Sequence, residues 1–112
     1  MEIIGKKHLE KLKSKNKGNI LLHHAIDKLF DDLKDSNWDN KLDVINERPD
    51  ADCVYDDFYF FDINIHRVFI LIEFEDDEAT IIWCGNHDDY ETTFKNNKST
   101  IKKWLKNKGY IL

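Results

Sequence analysis

Proline, glycine and cysteine are scarce in this sequence, whose 112 residues include one Pro, four Gly and two Cys. So little proline and glycine excludes a collagen-like chain and a long flexible linker. Cys53 and Cys84 form no C-x-x-C pair, which predicts small buried thiols in a reducing cytoplasm. No run approaches the roughly 18 apolar residues that a membrane-spanning helix needs. The first residues lack the order of a secretory signal, so we expect a cytoplasmic protein without membrane contact.

Aromatic residues, by contrast, are plentiful, with seven Phe, four Tyr and three Trp. So many large apolar side chains argue against a disordered chain, because their burial is a main driving force of folding. A chain of this length usually folds around one hydrophobic core. We therefore expect a single domain over residues 1–112.

The formal net charge of −5 argues against a nucleic-acid partner, but the charges are unevenly distributed. Residues 1–17 contain six lysines and two glutamates, and residues 95–112 contain six lysines and no acid. Residues 18–94 contain five basic and twenty acidic residues. If the two ends lie together in the fold, they form a basic surface for a polyanion, because attraction follows the local potential. For either end alone, lysines on a solvated helix face are an equally good explanation.

The spacing of apolar residues predicts helices in the first half of the chain and strands in the second. Helices are predicted over residues 7–15, 20–33, 41–46 and 99–108, the last with Ser99 as its N-cap. Strands are predicted over residues 1–4, 53–55, 58–63, 67–74 and 79–84, and residues 85–90 leave the sheet. This order predicts an α+β fold of two layers, in which N-terminal helices pack on a mostly antiparallel sheet.

Few residues point to chemistry by their spacing alone. There is no glycine-rich phosphate loop or nucleophile elbow, and the histidines and cysteines lack the spacing of a metal site. Arg67, near the start of a predicted central strand, suits bidentate contact with a phosphate, although an ion pair with a nearby acid explains it equally well. His87 follows the last predicted strand, three residues before Tyr90. Both can take part in proton transfer, but a lone histidine on a polar loop is more often merely solvated.

Several short segments, taken in order, resemble the HigB-type toxins of bacterial toxin–antitoxin pairs, within the RelE-like superfamily. The resemblance extends over about residues 1–92. The segments that carry it are Ile3-Ile4-Gly5-Lys6-Lys7-His8-Leu9, Ser36-Asn37-Trp38, Asp43-Val44, Arg48-Pro49-Asp50-Ala51-Asp52, Phe61-Asp62-Ile63-Asn64, His66-Arg67-Val68 and Gly85-Asn86-His87-Asp88-Asp89-Tyr90.

The resemblance implies a RelE-like fold with its core over about residues 1–92. The basic helix predicted over about residues 98–109 is an extension beyond the usual end of the family. The implied activity is that of an mRNA interferase, a ribosome-dependent endoribonuclease that cuts mRNA in the A site. In that reaction the 2′-hydroxyl of the RNA attacks the adjacent phosphate, with no metal or other cofactor. The implied partners are a small antitoxin protein and ribosome-bound mRNA.

The resemblance also implies roles for individual residues. Arg67 would be the cation on the phosphate, and His87 the general acid or base. Tyr90 would help to position the base or the proton transfer. The residues that would contact the RNA or hold its phosphates are Asn64, Lys6 and Lys7.

The sequence departs from the family pattern in composition and at particular residues. Asp62 stands where the family has Asn, and His66 replaces an aromatic residue before the arginine. The isoelectric point near 5.5 is low for a family that is usually basic. These departures leave two other hypotheses open. One is a non-catalytic module on the same fold that binds a basic protein through the acidic middle of the chain, and the other is a toxin with a different target, such as a topoisomerase.

Overall fold

The computed structural model describes residues 1–112 and contains five strands and five helices. In chain order they are β1 Glu2–Ile4, α1 Lys7–Lys15, α2 Ile20–Lys34, α3 Lys41–Glu47, β2 Asp52–Tyr55, β3 Phe58–Ile63, β4 His66–Glu73, β5 Glu78–Asn86, α4 His87–Phe94 and α5 Lys98–Asn107. This content confirms the predicted α+β class. None of the helices combines the length and the apolar character that crossing a membrane requires.

The strands form one sheet in the order β1-β5-β4-β3-β2. β2 to β5 run antiparallel to one another, as the short connections predict, and β1 pairs in parallel with β5. β1 is an edge strand, and its pairing with β5 is limited to Glu78, Ala79 and Thr80. The remainder of β5, through Asn86, therefore has no strand on that side, and we call this stretch the open edge of β5.

Helices cover both faces of the sheet. On one face α1, α2 and α3 bury the helical core, which includes Leu9, Ile26, Val44, Phe61 and Val68. On the other face α4 and α5 cover the aromatic core, which consists of Phe58, Phe60, Phe69, Ile82, Tyr90, Phe94, Ile101 and Leu105. The sequence predicts two layers, but the structure has three. The difference arises because α4 and α5 bury apolar side chains against the second face of the sheet.

The alternation of side chains in β3 and β4 explains why both faces are covered. In β4, Val68 and Ile70 lie in the helical core while Phe69 lies in the aromatic core. All three side chains are fully buried. Burial of each such side chain stabilises the fold by about 1.5–3 kcal/mol. The prediction of a central strand is thus confirmed, and both of its faces are apolar.

The segment over residues 85–90 is the largest departure from the predicted elements. β5 continues through Asn86, and α4 follows without an intervening loop. Asn86 caps this helix, because its side chain accepts a hydrogen bond from the Asp89 backbone N–H at 2.8 Å. The Asp89 carboxylate in turn accepts from the Asn86 backbone N–H at 3.1 Å. This capping box begins a helix that periodicity alone does not predict.

Two smaller expectations are also wrong. Asn97, not Ser99, is the N-cap of α5, since its side chain accepts from the Thr100 backbone N–H at 3.2 Å. Asparagine caps a helix at least as well as serine, so the helix begins earlier. Cys53 and Cys84 are free thiols but are only half-buried. Each lies in a strand with an unpaired side, β2 at the sheet edge and β5 along its open edge.

Candidate active site

Arg67 lies at one end of the sheet, with its guanidinium group against two aromatic rings. Strand pairing places Arg67 between Asp62 of β3 and Gly85 of β5. The guanidinium carbon is 4.7 Å from the centre of the Tyr90 ring and 5.1 Å from the centre of the Phe60 ring. A guanidinium group is attracted to the electron-rich face of such rings, which fixes its orientation. The side chain keeps 21% of its surface exposed, so it remains accessible to a ligand.

The rings that support Arg67 are part of the rigid aromatic core. Phe60 stacks on Phe69 with ring centres 4.1 Å apart and planes 8° apart. The rings of Tyr90 and Phe94 lie steeply inclined to the Phe60 ring, with their centres 5.0 and 5.2 Å from its centre. Phe60, Phe69 and Phe94 are fully buried. Tight packing of this kind leaves little room for the Arg67 support to move.

Two carboxylates partly neutralise Arg67. Its Nε donates to Asp62 Oδ1 at 3.2 Å, and its Nη2 lies 3.9 Å from Asp52 Oδ2. Both carboxylates are more than half exposed, and ion pairs of that kind are weak. Arg48 differs, because its side chain is 10% exposed and it forms two ion pairs, at 3.0 and 2.8 Å. Arg67 can therefore exchange a carboxylate for another anion, whereas Arg48 holds α2 and the chain before β2 to the sheet.

Tyr90 is held by hydrogen bonding as well as by packing. The residue is 3% exposed, and its hydroxyl donates to Asn96 Oδ1 at 3.1 Å. Burial raises the pKa of Tyr90 above its ordinary value, and the nearby Arg67 charge opposes this only in part. The hydroxyl therefore keeps its proton at neutral pH. This arrangement suits a residue that fixes the position of Arg67.

His87 is the first residue of α4, and its side chain is largely exposed to solvent. Its side chain is 74% exposed, with Nε2 lying 3.8 Å from Glu91 Oε1. It lies one helical turn before Tyr90 and two residues after Gly85, the strand partner of Arg67. The structure thus brings His87, Tyr90 and Arg67 to the same end of the sheet. Tyr90 contacts Arg67 directly, through its ring, whereas His87 only lies at the same end of the sheet.

Gly85 sets the approach of α4 to the end of β5. A Cβ atom at this buried position would lie 2.8 Å from Trp83 Cζ2 and 2.9 Å from Asp89 Cβ. Gly85→Ala is therefore expected to lower the free energy of unfolding by about 1–3 kcal/mol, as overpacking does. Urea denaturation measures this loss. Gly18→Ala is the control, because nothing lies within 4 Å of the Cβ it would add. Equal stability of the two variants would show that α4 moves away at no cost.

The other predicted site residues lie apart from the Arg67–Tyr90 pair. Asn64 is in the two-residue turn between β3 and β4, at φ 63°, and its side chain accepts from the Ile65 backbone N–H at 2.7 Å. Lys6 precedes α1, with its ammonium group 5.6 Å from the centre of the Phe30 ring. Phe30 packs on the helical core, on the face opposite to Arg67. Lys7, the first residue of α1, is exposed.

Sequence reasoning missed the residues that hold Arg67. Phe60 and Asn96 give no signal of their own, because their contacts depend on strand register and on the position of α4. Asp62 is signalled only by its departure from the family pattern. The capping box of Asn86 and Asp89 is visible as an N-x-x-D spacing before α4. No group of three or more His, Cys, Asp or Glu side chains is arranged to hold a metal ion.

The family model described as HigB_toxin, RelE-like toxic component of a toxin-antitoxin system, matches residues 22–93, more than half of the chain. The matched range contains Arg67, His87 and Tyr90, whereas α1 and α5 lie outside it. No curated protein matches the chain.

Proposed function

The chain belongs to the HigB toxin family, the RelE-like toxic components of toxin–antitoxin systems, and we propose that it is a ribosome-dependent endoribonuclease that cuts mRNA in the A site. Membership of this family implies an antitoxin protein as its partner. The observation that carries the proposal is the Arg67 guanidinium, held on two rings at the end of the sheet where the exposed His87 begins α4. Phosphate transfer within RNA needs a fixed cation and a proton carrier of this kind.

The proposed reaction cleaves one phosphodiester bond. The 2′-oxygen of the RNA forms a bond to the adjacent phosphorus, the bond from phosphorus to the 5′-oxygen breaks, and a cyclic phosphate remains. One proton leaves the 2′-hydroxyl and another reaches the departing 5′-oxygen. We assign one of these transfers to His87, because an imidazole can accept or donate a proton and this side chain is 74% exposed. Arg67 stabilises the negative charge that develops on the phosphate oxygens.

The remaining assignments follow from position. Tyr90 is a positioning residue, since its hydroxyl donates to Asn96 and its ring supports Arg67. Asn64 lies in the turn that precedes β4, and we assign it a contact with the RNA away from the reacting bond. Lys6 and Lys7, on the other face of the sheet, hold phosphates away from the reacting bond.

A translation reaction with purified protein tests the proposal. The 5′ ends of the mRNA fragments are mapped by primer extension, and the same mRNA is incubated without ribosomes. We expect cuts within codons that appear only when ribosomes are present. Intact mRNA with unchanged protein synthesis would contradict the proposal and favour the non-catalytic binding module. Intact mRNA together with DNA damage in cells would favour a different target.

Asp62→Asn is expected to raise the rate of mRNA cleavage by about two- to fivefold, the scale of a weak exposed ion pair. The variant removes the carboxylate that accepts from Arg67 Nε, so the phosphate no longer competes with it. The rate of fragment formation in the translation reaction measures the change. Asp56→Asn is the matched control, because it removes the same charge at the opposite end of β3. An equal gain in both variants would mean that only the net charge matters.

A further inference from the structure

The two basic ends of the chain meet at one cleft. The cleft has a volume of about 570 Å³ and follows the open edge of β5. α1 contributes Lys11 and Lys15 to its lining, and the end of α5 contributes Lys108. The two basic ends thus lie together, as a basic surface for a polyanion requires. Neither α1 nor α5 belongs to the range that the family model matches.

The three lysines of the cleft are available to a ligand. Each is exposed, and none lies within 4.0 Å of a carboxylate oxygen, although Lys13 of the same helix pairs with Asp27. One carboxylate, that of Asp89, lines the cleft, but it accepts the hydrogen bond that caps α4. With three lysines and one carboxylate in its lining, the cleft therefore carries a net positive charge on an acidic protein.

Aromatic surfaces lie between these lysines. Trp83 of β5, Trp104 of α5 and Tyr110 all line the cleft. Trp104 and Tyr110 are stacked, with ring centres 6.1 Å apart and planes 19° apart. Lys108 holds its ammonium group 5.8 Å from the centre of the Trp104 ring. Cationic side chains interleaved with ring faces are what binds a single-stranded nucleic acid, since phosphates and bases are then held together.

A buried histidine gives a second indication of a ligand. His66 lines the cleft, is 7% exposed, and its Nδ1 has no hydrogen-bond partner. Buried polar atoms are rarely left unpaired, and the exceptions call for an explanation. Burial lowers the pKa of His66, with the Asp89 charge opposing this shift, so the imidazole is neutral at pH 7 and adds no charge. A neutral imidazole can exchange hydrogen bonds with a base or a ribose.

We propose that this cleft binds a segment of single-stranded RNA, with Lys11, Lys15 and Lys108 on its phosphates and a base against Trp104 and Tyr110. The proposal deepens the proposed function, and it rests on that function for the identity of the RNA as substrate. Gly85 lines the cleft and is the strand partner of Arg67. The bound segment therefore lies beside the reacting end of the sheet, and it anchors the strand on which Arg67 acts.

Fluorescence anisotropy with a labelled 2′-O-methyl RNA of about ten nucleotides tests the cleft without ribosomes and without cleavage. In the triple variant Lys11→Gln, Lys15→Gln, Lys108→Gln, we expect at least a tenfold weaker Kd. Above about 0.15 M salt, the slope of log Kd against log salt should fall by about two, since each phosphate contact on a single strand contributes about 0.7. Tyr110→Ala, at an exposed position, should weaken binding by about fivefold or more.

The matched control is Lys17→Gln, Lys103→Gln, Lys106→Gln, which removes the same charge from the same two ends outside the cleft. This control should keep the wild-type Kd. Equal weakening in both triple variants would overturn the proposal, as would equal affinity for a polyglutamate peptide of the same charge. If the wild type binds RNA and the cleft variant does not, but neither protein cleaves mRNA, the cleft proposal is supported and the endoribonuclease is contradicted. If the cleft variant cleaves mRNA and binds RNA as the wild type does, the endoribonuclease is supported and the cleft proposal is contradicted.

Discussion

In Arg67→Ala, cleavage of mRNA on ribosomes is expected to fall by about two to three orders of magnitude. The substitution removes the cation that we place on the phosphate, at a point where charge develops in the transition state. Arg67 is partly exposed and its ion pairs are weak, so the fold should be retained. Rates of fragment formation, measured beside thermal unfolding, separate a chemical loss from a structural one.

Two further variants sharpen this result. Arg67→Lys keeps the positive charge but loses the planar fork that stacks on Tyr90 and Phe60, so its rate should lie between those of alanine and the wild type. His87→Ala, at an exposed position, should lose about a hundredfold in rate without a change in stability. Undiminished growth arrest on expression of both Arg67→Ala and His87→Ala would refute this mechanism.

Phe60→Ala is expected to lower the free energy of unfolding by about 3–5 kcal/mol. Phe60 is fully buried at the centre of the aromatic core, where it stacks on Phe69 and supports Arg67. The cavity left by its removal can close only if several rings move together. Urea denaturation followed by tryptophan fluorescence measures the loss, which is a large share of the stability of a domain of this size.

A milder pair of variants shows whether the aromatic support also matters for activity. Phe61 is the neighbour of Phe60 in β3, is equally buried, and faces the helical core below Arg48. Phe60→Leu and Phe61→Leu should therefore destabilise the fold to similar degrees. At a temperature where both are folded, only Phe60→Leu should cleave mRNA more slowly. Equal activity of the two would mean that Arg67 does not depend on its rings.

The sequence predicts the strands and helices well where apolar spacing is strong. α1 and β3 have the predicted bounds, α2 is one residue longer at its end, and β4 is shifted by one residue at both ends. α4 is missed because only Tyr90 and Phe94 are buried in it, and acidic residues fill its first turn. Its capping box is a local signal, but periodicity does not detect it. Tertiary packing decides which face of the sheet α5 covers, and the spacing of apolar residues within the helix does not specify it.

The candidate site is predictable in its members but not in its contacts. Resemblance to the family selects Arg67, His87 and Tyr90, but residues 23 positions apart become neighbours only through the register of β4 and β5. The ion pair of Arg67 was an open alternative from composition, and Asp62 and Asp52 form it. The sequence alone does not tell that Lys6 and Lys7 lie on the opposite face of the sheet from Arg67. The packing of α1 on the helical core decides that face.

Because its charges are separated, this protein repels a polyanion at long range through its net charge and attracts it at short range through its lysines. The molecule measures 39 × 33 × 23 Å. At about 0.01 M ionic strength the Debye length of about 30 Å spans most of it, so an approaching polyanion is repelled by the whole charge of −5. At cellular ionic strength that length shrinks to about 8 Å, and only the nearest lysines are felt. Added salt should therefore first strengthen the proposed association with RNA and weaken it only at higher concentrations, so a dilute buffer would understate the affinity at cellular ionic strength.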